Sequence, residues 1–396
     1  MRRSLPRWSE IERFVAPTFQ RGGRFDRVRT AEDFARLARR RVPRPVLDYV
    51  EGGAERETSV RRATAAFERV TFHPHVLRDV GAVDTSSSVL GRPVAFPVVL
   101  GPTGFTRMMH AAGEPAVARA AARAGVPYAL STMGTTSVEA LPDVGDRWFQ
   151  LYLWRDRGRS QELVRRAADA GYSTLVLTVD VVTQGGRWRD VRNGLTIPPT
   201  LSARTLASMA ARPRWVFDTL TTEPLTLESL AQGEELHELI NTVFEPAVTP
   251  ADVEWLRSVW PGSLVVKGLQ RAEDARVCVA SGADGVAVSN HGGRQLDRAA
   301  TPLDALPAVV DAVGDDAEVY LDGGVRSGAD VAAAVALGAT AAFVARPYLY
   351  ALMAAGEAGV DHLLGLLHAD YARTLALLGV TRTADLDRDL VSVVPH

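Results

Sequence analysis

The chain has one cysteine, Cys278, in 396 residues, which excludes an internal disulfide and a cysteine-based zinc centre. It has no excess of charge of one sign. Lys plus Arg total 45 against 47 Asp plus Glu, a formal net charge of −2, so nucleic acid is not an expected partner and an anionic bilayer has no global attraction for it. No apolar run is long enough to span a membrane, and the basic segment 1–20 lacks the apolar stretch of a secretory signal. A cytoplasmic location is expected, with any membrane contact peripheral. Clustered metal ligands are missing, so no metal is expected. No Gly-x-Gly-x-x-Gly follows the first candidate strand, as a dinucleotide-binding sheet would require. What the chain does have is core-forming material: 46% of residues are hydrophobic and 23% charged, a balance that supports folding and argues against disorder.

From Phe96 onward, short apolar runs alternate with longer Ala-rich amphipathic segments, the pattern of repeated βα units around a parallel sheet. Strands are predicted at 97–100, 128–131, 148–153, 174–179, 264–267, 285–289, 318–321 and 341–344. Eight runs favour a closed barrel over an open doubly wound sheet, which usually has about five or six strands. Helical spacing covers 114–124, 160–170, 272–281 and 329–337. These segments stop at Gly125, Gly171, Gly282 and Gly338, each able to take a left-handed cap. Upstream, Thr30 caps a predicted basic helix through Arg40, and a second runs from Pro45 into Gly52-Gly53. These helices either close the bottom of the barrel or flank its mouth. The expected fold is therefore α/β, a (β/α)8 TIM barrel with N-terminal helices and a long loop after strand four. Residues 1–29 form an extension and 30–396 one domain. The loop, 193–246, carries Trp215, Phe217 and Leu220 and reads as a lid over the mouth or as a surface for membrane contact.

In such a barrel the site lies at the C-terminal strand ends, so polar residues that end apolar runs are the candidates. Lys267 ends Leu264-Val265-Val266, Asp180 ends 175–179, and Ser289-Asn290-His291 ends 285–288. Gln150 and Tyr152 share one strand face by the period-two rule, as do Thr178 and Asp180, and these faces converge on the barrel axis.

The most specific string is Ser289-Asn290-His291-Gly292-Gly293-Arg294-Gln295-Leu296-Asp297. It resembles the signature of the FMN-dependent 2-hydroxy-acid oxidase and dehydrogenase family, which includes glycolate oxidase, L-lactate dehydrogenase and mandelate dehydrogenase. Further motifs follow in the family's order: Asp48-Tyr49 with Gly52-Gly53, Pro102-Thr103-Gly104, Gln150-Leu151-Tyr152, Thr178-Val179-Asp180, Arg189-Asp190-Val191-Arg192-Asn193, Val266-Lys267-Gly268 and Leu321-Asp322-Gly323-Gly324-Val325-Arg326. The resemblance runs from about Thr30 to the C-terminal helices. It is strongest to L-lactate dehydrogenases of the actinobacterial kind, through Pro102-Thr103-Gly104-Phe105-Thr106-Arg107 and Asn241-Thr242-Val243-Phe244.

The resemblance implies FMN as cofactor and an (S)-2-hydroxy acid as substrate, L-lactate or a larger or aromatic acid. It makes His291 the base and Asp180 the carboxylate that stabilises its imidazolium, a sensible pairing because histidine titrates near neutrality and a carboxylate orients the ring. Arg187 and Arg294 become the clamp for the substrate carboxylate, whose two oxygens match a guanidinium fork. Tyr49 donates to the same carboxylate, and Tyr152 contacts the substrate hydroxyl or the developing oxyanion. Lys267 is implied at the N1 and O2 region of the flavin, where reduction builds negative charge. The resemblance places the FMN phosphate at Gly323, Gly324, Arg326 and Arg346, beside Ala345, and the ribityl hydroxyls at Asp322. Ser131, Gln150 and Thr178 fall to the polar edge of the ring system, and Pro102, Thr103 and Gly104 to its face. Ser289 is counted with the cofactor contacts. Related barrels commonly form tetramers, so a homotetramer is expected.

Three departures from the pattern stand out. Ala345-Arg346-Pro347 replaces the familiar Gly-Arg-Pro. The segment after Asp180 has glycine, Gly186, in place of an arginine and lacks the usual proline. Met133 occupies a position that is aromatic in glycolate oxidase. The electron acceptor is a quinone or oxygen. Gly104, where oxidase relatives tend to carry alanine, favours the quinone. The rival readings are a non-redox FMN-dependent isomerase or amidase-like relative, and a flavin-binding barrel without catalysis. The presence of His291, Arg187 and Arg294 together argues against both.

Overall fold

The computed structural model describes Arg7, Phe25 and residues 27–194, 202–227 and 245–394. Eight parallel strands close into a barrel in chain order: Val98–Leu100, Tyr128–Ser131, Arg147–Leu151, Thr174–Thr178, Ser263–Leu269, Gly285–Ser289, Glu318–Asp322 and Ala341–Val344. The eighth pairs with the first. Each of the eight predicted runs is a strand, with ends displaced by two residues or fewer. The predicted crossover helices are Gly113–Arg123, Arg157–Asp169, Ala272–Ala280 and Gly328–Ala336. The glycines that stop them have φ of +64° (Gly125), +79° (Gly171), +99° (Gly282) and +104° (Gly338), where an L side chain would be strained.

The barrel interior is packed solid. Val99, Ala129, Trp148, Val176, Val265, Ala287, Tyr320 and Phe343, one from each strand, form a buried layer. Trp148, Tyr320 and Phe343 meet edge to face with ring centroids 5.7–6.0 Å apart. Each ring removes roughly 150–250 Å² from water, worth roughly 4–6 kcal/mol before chain entropy opposes it. Below this layer, a hairpin of Ser87–Val89 and Arg92–Val94 plugs the N-terminal end and inserts Val89 and Val94 into the interior. Its turn uses Leu90 and Gly91 at φ +49° and +73°, the left-handed geometry that suits a two-residue hairpin. The Leu90 amide donates to Glu318 Oε1 (2.8 Å), fixing the plug to strand seven.

The N-terminal helices are Ala31–Arg41 and Arg44–Glu51. The first opens on a reciprocal capping box between Thr30 and Asp33. Of the two placements open to them in the sequence, they take the mouth, and the hairpin closes the bottom.

The described part of the excursion after strand four forms two helices, Ala203–Ala210 and Pro213–Thr221, that dock back on the molecule. Trp215 Nε1 donates to the Met108 carbonyl (3.0 Å), Arg44 N to Ser208 Oγ (2.8 Å) and Arg107 to the Glu223 carbonyl (2.6 Å). Trp215 is therefore a tether rather than a presented side chain. Phe217 and Leu220 remain 66% and 78% exposed. The string Asn241-Thr242-Val243-Phe244 lies outside the described residues. Helices Arg346–Ala355 and Glu357–Leu378 complete the wall, and Val391–Val393 pairs antiparallel with Val70–Phe72. Among the described residues, no helix is long and apolar enough to cross a membrane.

Candidate active site

A strand facing inward at one residue faces inward again two residues on. The interior layer therefore dictates the next one: Gly101, Ser131, Gln150, Thr178, Lys267, Ser289, Asp322 and Ala345 each stand two residues beyond a member of the buried layer. Pairing register brings them together at one level, with Ser131 opposite Gln150, Thr178 opposite Lys267 and Ser289 opposite Asp322. A cavity of about 510 Å³ opens above this ring at the C-terminal mouth.

One side of the cavity carries buried polar groups in want of partners. Ser131 Oγ donates to Gln150 Oε1 (2.8 Å), which leaves Gln150 Nε2 buried and unpaired, and Thr178 Oγ1 is buried and unpaired as well. Each such orphan costs roughly 1–3 kcal/mol unless a bound group satisfies it. Lys267 Nζ lies 2.6 Å from Asp322 Oδ2 and donates to Ser289 Oγ (3.2 Å), and Ser289 Oγ donates to Asp322 (2.7 Å). Burial opposes the ammonium, but Asp322 and then Asp180 outweigh it, so the lysine pKa is raised and the group stays charged. Arg346 is half-buried at the far end and bonds the carbonyls of Val50 (2.8 Å) and Gly52 (3.0 Å). Burial brings it down to about 10, still cationic at neutrality.

Pro102, Thr103, Gly104, Ala345 and Arg346 line the cavity, whereas Ser289, Gly323, Gly324 and Arg326 do not. A Cβ on Gly324 would meet the Ala63 carbonyl, so the backbone there is pressed against helix Thr58–Glu68. The Arg326 guanidinium lies 5.5 Å from the Tyr350 ring centroid. At Gly104 a Cβ would fall 2.8 Å from Met133 Cβ, so a side chain there would force Met133 to shift. A flavin nucleotide fits this donor set: unpaired donors for the heteroatoms of its ring edge, a buried ammonium for the charge of its reduced form, and an arginine for its phosphate.

The other side carries a histidine–aspartate pair. His291 sits at φ +55°, a left-handed conformation rare outside glycine, with Gly292 and Gly293 continuing it at +59° and +73°. Its Nδ1 is 2.8 Å from Asp180 Oδ1, and its Nε2 is 3.4 Å from the Tyr152 hydroxyl. Its backbone N–H donates to Ser289 Oγ (2.9 Å), joining it to the Lys267 cluster. Burial and the Asp180 charge raise the Tyr152 pKa far above its usual value, so the phenol stays a neutral donor. Arg187 and Arg294 share the cavity. Burial, then the neighbouring Arg294, pushes Arg187 down to about 10. Arg294 anchors one nitrogen on the carbonyls of Tyr49 (2.6 Å) and Gly52 (3.1 Å) and lies 4.7 Å above the Tyr49 ring. Arg187 Nε and Arg294 Nη2 are buried without a partner, a pair of free donors suited to a carboxylate.

Three neighbours had no role assigned in the sequence. Asp190, 7% exposed, has Oδ2 4.0 Å from Arg294 Nη2 and leaves Oδ1 unpaired. Its place in the string 189–193 was the available signal. Gln295 Nε2 ties the carbonyls of Asp180 (3.2 Å) and Thr183 (2.8 Å) together. Gly268, at φ +114°, lets the chain pass close to the Asp180 carboxylate: a Cβ there would fall 2.7 Å from Asp180 Cγ. Gly268→Ala is therefore expected to displace Asp180 and slow substrate-dependent flavin reduction about 10²-fold while FMN stays bound. Stopped-flow reduction rates beside the bound-flavin spectrum check this, and an unchanged rate contradicts it.

A closed (β/α)8 barrel whose mouth pairs a flavin-shaped set of donors with a histidine–aspartate couple and two arginines that each keep an unpaired donor defines a class, the flavin-dependent barrel oxidoreductases. The FMN-dependent dehydrogenase family matches residues 38–393. A Mycobacterium tuberculosis protein with a provisional L-lactate dehydrogenase name is 51% identical over 362 residues, covering 90% of this chain and 87% of the relative. The L-lactate dehydrogenase of Caulobacter vibrioides is 41% identical, covering 92% and 98%. Among solved structures, monotopic membrane protein (S)-mandelate dehydrogenase superposes with a TM-score of 0.90 at 39% identity, covering 93% of this chain and 100% of that one. The chain belongs to the FMN-dependent dehydrogenase family, and FMN is its cofactor.

Proposed function

We propose that the chain oxidises an (S)-2-hydroxy acid to the 2-oxo acid, with His291 as the base. The observation that carries this reading is the cavity lined by His291, whose ring Asp180 holds from behind, and by Arg187 and Arg294 with their unpaired donors. Relatives named for L-lactate and mandelate dehydrogenase activity support the same substrate class. Nothing favours a non-redox or non-catalytic barrel.

In this reading Arg187 and Arg294 bind the substrate carboxylate, Tyr49 donates to it, and Tyr152 donates to the substrate oxygen. Conversion of the alcohol to the ketone releases two electrons and two protons. His291 Nε2 takes one proton, and Asp180 stabilises the resulting imidazolium through Nδ1. FMN, when bound, would accept the electron pair together with the second proton. Lys267 balances negative charge at the flavin's N1 and O2 region, held in place by Asp322 and Ser289. Ser131, Gln150 and Thr178 bond the ring's polar edge, and Pro102, Thr103 and Gly104 line its face. Arg346 and Ala345, with Gly323, Gly324 and Arg326 around them, receive the phosphate, and Asp322 adds a ribityl contact.

A quinone or another organic acceptor takes the electrons in preference to oxygen, an extension that rests on glycine rather than alanine at 104. The exposed Phe217 and Leu220 support a peripheral membrane contact on the cytoplasmic side. The homotetramer implied by the resemblance belongs to the same proposal. Purified protein is expected to retain FMN and to bleach anaerobically on addition of an (S)-2-hydroxy acid. A soluble quinone is expected to reoxidise it faster than air-saturated buffer. Failure of every 2-hydroxy acid to bleach the flavin removes the activity, and faster reoxidation by oxygen with stoichiometric peroxide removes the acceptor.

A further inference from the structure

We infer that Trp188, seated against the bare Cα of Gly186, is the wall that receives the substrate's C2 substituent, and that it selects 2-hydroxy acids with an extended apolar side chain over lactate. The inference rests on the proposed 2-hydroxy-acid oxidation and adds to it the substrate's side chain.

Gly186 is the first observation. Its φ is not in the left-handed region, so its backbone does not call for glycine. A side chain would nevertheless be crowded: a Cβ at 186 would lie 3.1 and 3.3 Å from two atoms of the Trp188 indole, which would have to give way by a few tenths of an ångström. The segment is also pinned, because the Gly186 carbonyl accepts from Glu55 N (2.7 Å) and Trp188 N (3.1 Å), while a Cβ at Gly185 would strike the Arg294 carbonyl. The ring therefore occupies the space a side chain at 186 would take.

The second observation is what Trp188 faces. It lines the cavity yet is 49% exposed, and Val191, three residues on and on the same face of helix Trp188–Arg192, lines it at 54% exposed. Two apolar side chains thus stand half in water at the rim, with buried Val181 and Met133 in the same lining.

Position completes the argument. Trp188 directly follows Arg187, whose unpaired Nε suits the carboxylate, and C2 is one bond from that carboxylate. With the hydroxyl directed to His291 and Tyr152, the remaining substituent is left to the apolar rim. The methyl of lactate can cover little of it. A longer alkyl or aryl group covers more, at roughly threefold to fourfold in binding per buried methylene.

The test is anaerobic stopped-flow flavin reduction of the holoenzyme with L-lactate, (S)-2-hydroxyhexanoate, (S)-2-hydroxyoctanoate and (S)-3-phenyllactate. The wild type is expected to show a second-order rate constant for 2-hydroxyhexanoate tenfold or more above that for lactate. Trp188→Ala is expected to reduce that ratio about tenfold. Trp188→Phe, which keeps an aromatic face, is expected to restore most of it, and Gly186→Ala to lower it by displacing the ring. A wild type that favours lactate, or a ratio unmoved by Trp188→Ala, overturns the inference and leaves 2-hydroxy-acid oxidation standing. Absence of reduction by all four acids overturns the parent reading and this one with it.

Discussion

Replacing His291 with alanine is expected to slow substrate-dependent flavin reduction by roughly 10²–10⁴-fold, with FMN content unchanged. The expected loss is large because the ring is placed so specifically. Asp180 Oδ1 holds Nδ1 at 2.8 Å, so the other nitrogen is the one available to a substrate proton, close to the Tyr152 hydroxyl at 3.4 Å. The cofactor side should survive the change, because the unpaired donors of Gln150 and Thr178, the Lys267–Asp322 pair and Arg346 do not depend on the imidazole. One structural effect needs a control. His291 sits at φ +55°, where alanine is strained, whereas asparagine tolerates that backbone. His291→Asn keeps the turn and lacks the base, so both variants are expected to fail alike while their bound-flavin spectra stay normal. Reduction near the wild-type rate in the asparagine variant would take His291 out of the chemistry.

The barrel was legible because each of its strands is a short apolar run that is buried on both faces, and the site was legible because such runs end in polar residues. Trp148 to Gln150, Val176 to Thr178 and Val265 to Lys267 are the same two-residue step on three strands. What the sequence hid depends on pairing across distance. Lys267 reads as a lone cation at the end of strand five. Its counter-charge, Asp322, becomes its neighbour only once strands five, six and seven are in register through Ser289. The plug at the bottom was invisible for another reason: Ser87–Val89 and Arg92–Val94 are three residues each, with one inward valine apiece, too short to show a period. The stop glycines were read for backbone freedom, whereas Gly104 and Gly186 are crowded by the side chains against them, Met133 and Trp188, and Gly268 combines a left-handed φ with the press of Asp180. Whether Trp215 belonged to a lid or to a membrane-facing surface was not legible because its partner is a backbone carbonyl, Met108, 107 residues away.

Arg294→Lys is expected to lower kcat/KM for a 2-hydroxy acid by roughly 10²–10³-fold, the scale of breaking a buried charged contact. The guanidinium has two tasks that one ammonium cannot share. Its Nη1 is committed to the carbonyls of Tyr49 and Gly52, its plane lies over the Tyr49 ring, and its Nη2 remains unpaired for the ligand. A lysine can satisfy the carbonyls or reach the substrate, but it has no fork with which to do both. The loss carries a diagnostic that a general packing defect would lack. With the corresponding 2-hydroxy amide, which offers no carboxylate, the wild type has less to lose, so Arg294→Lys is expected to narrow the gap between acid and amide. Arg187→Lys is expected to narrow it too, and the double variant to lose less than the two single losses multiplied together, because both arginines serve one carboxylate. Equal losses for acid and amide in Arg294→Lys would place that arginine outside the carboxylate site. Fully multiplicative losses in the double variant would mean that the two guanidiniums bind different groups.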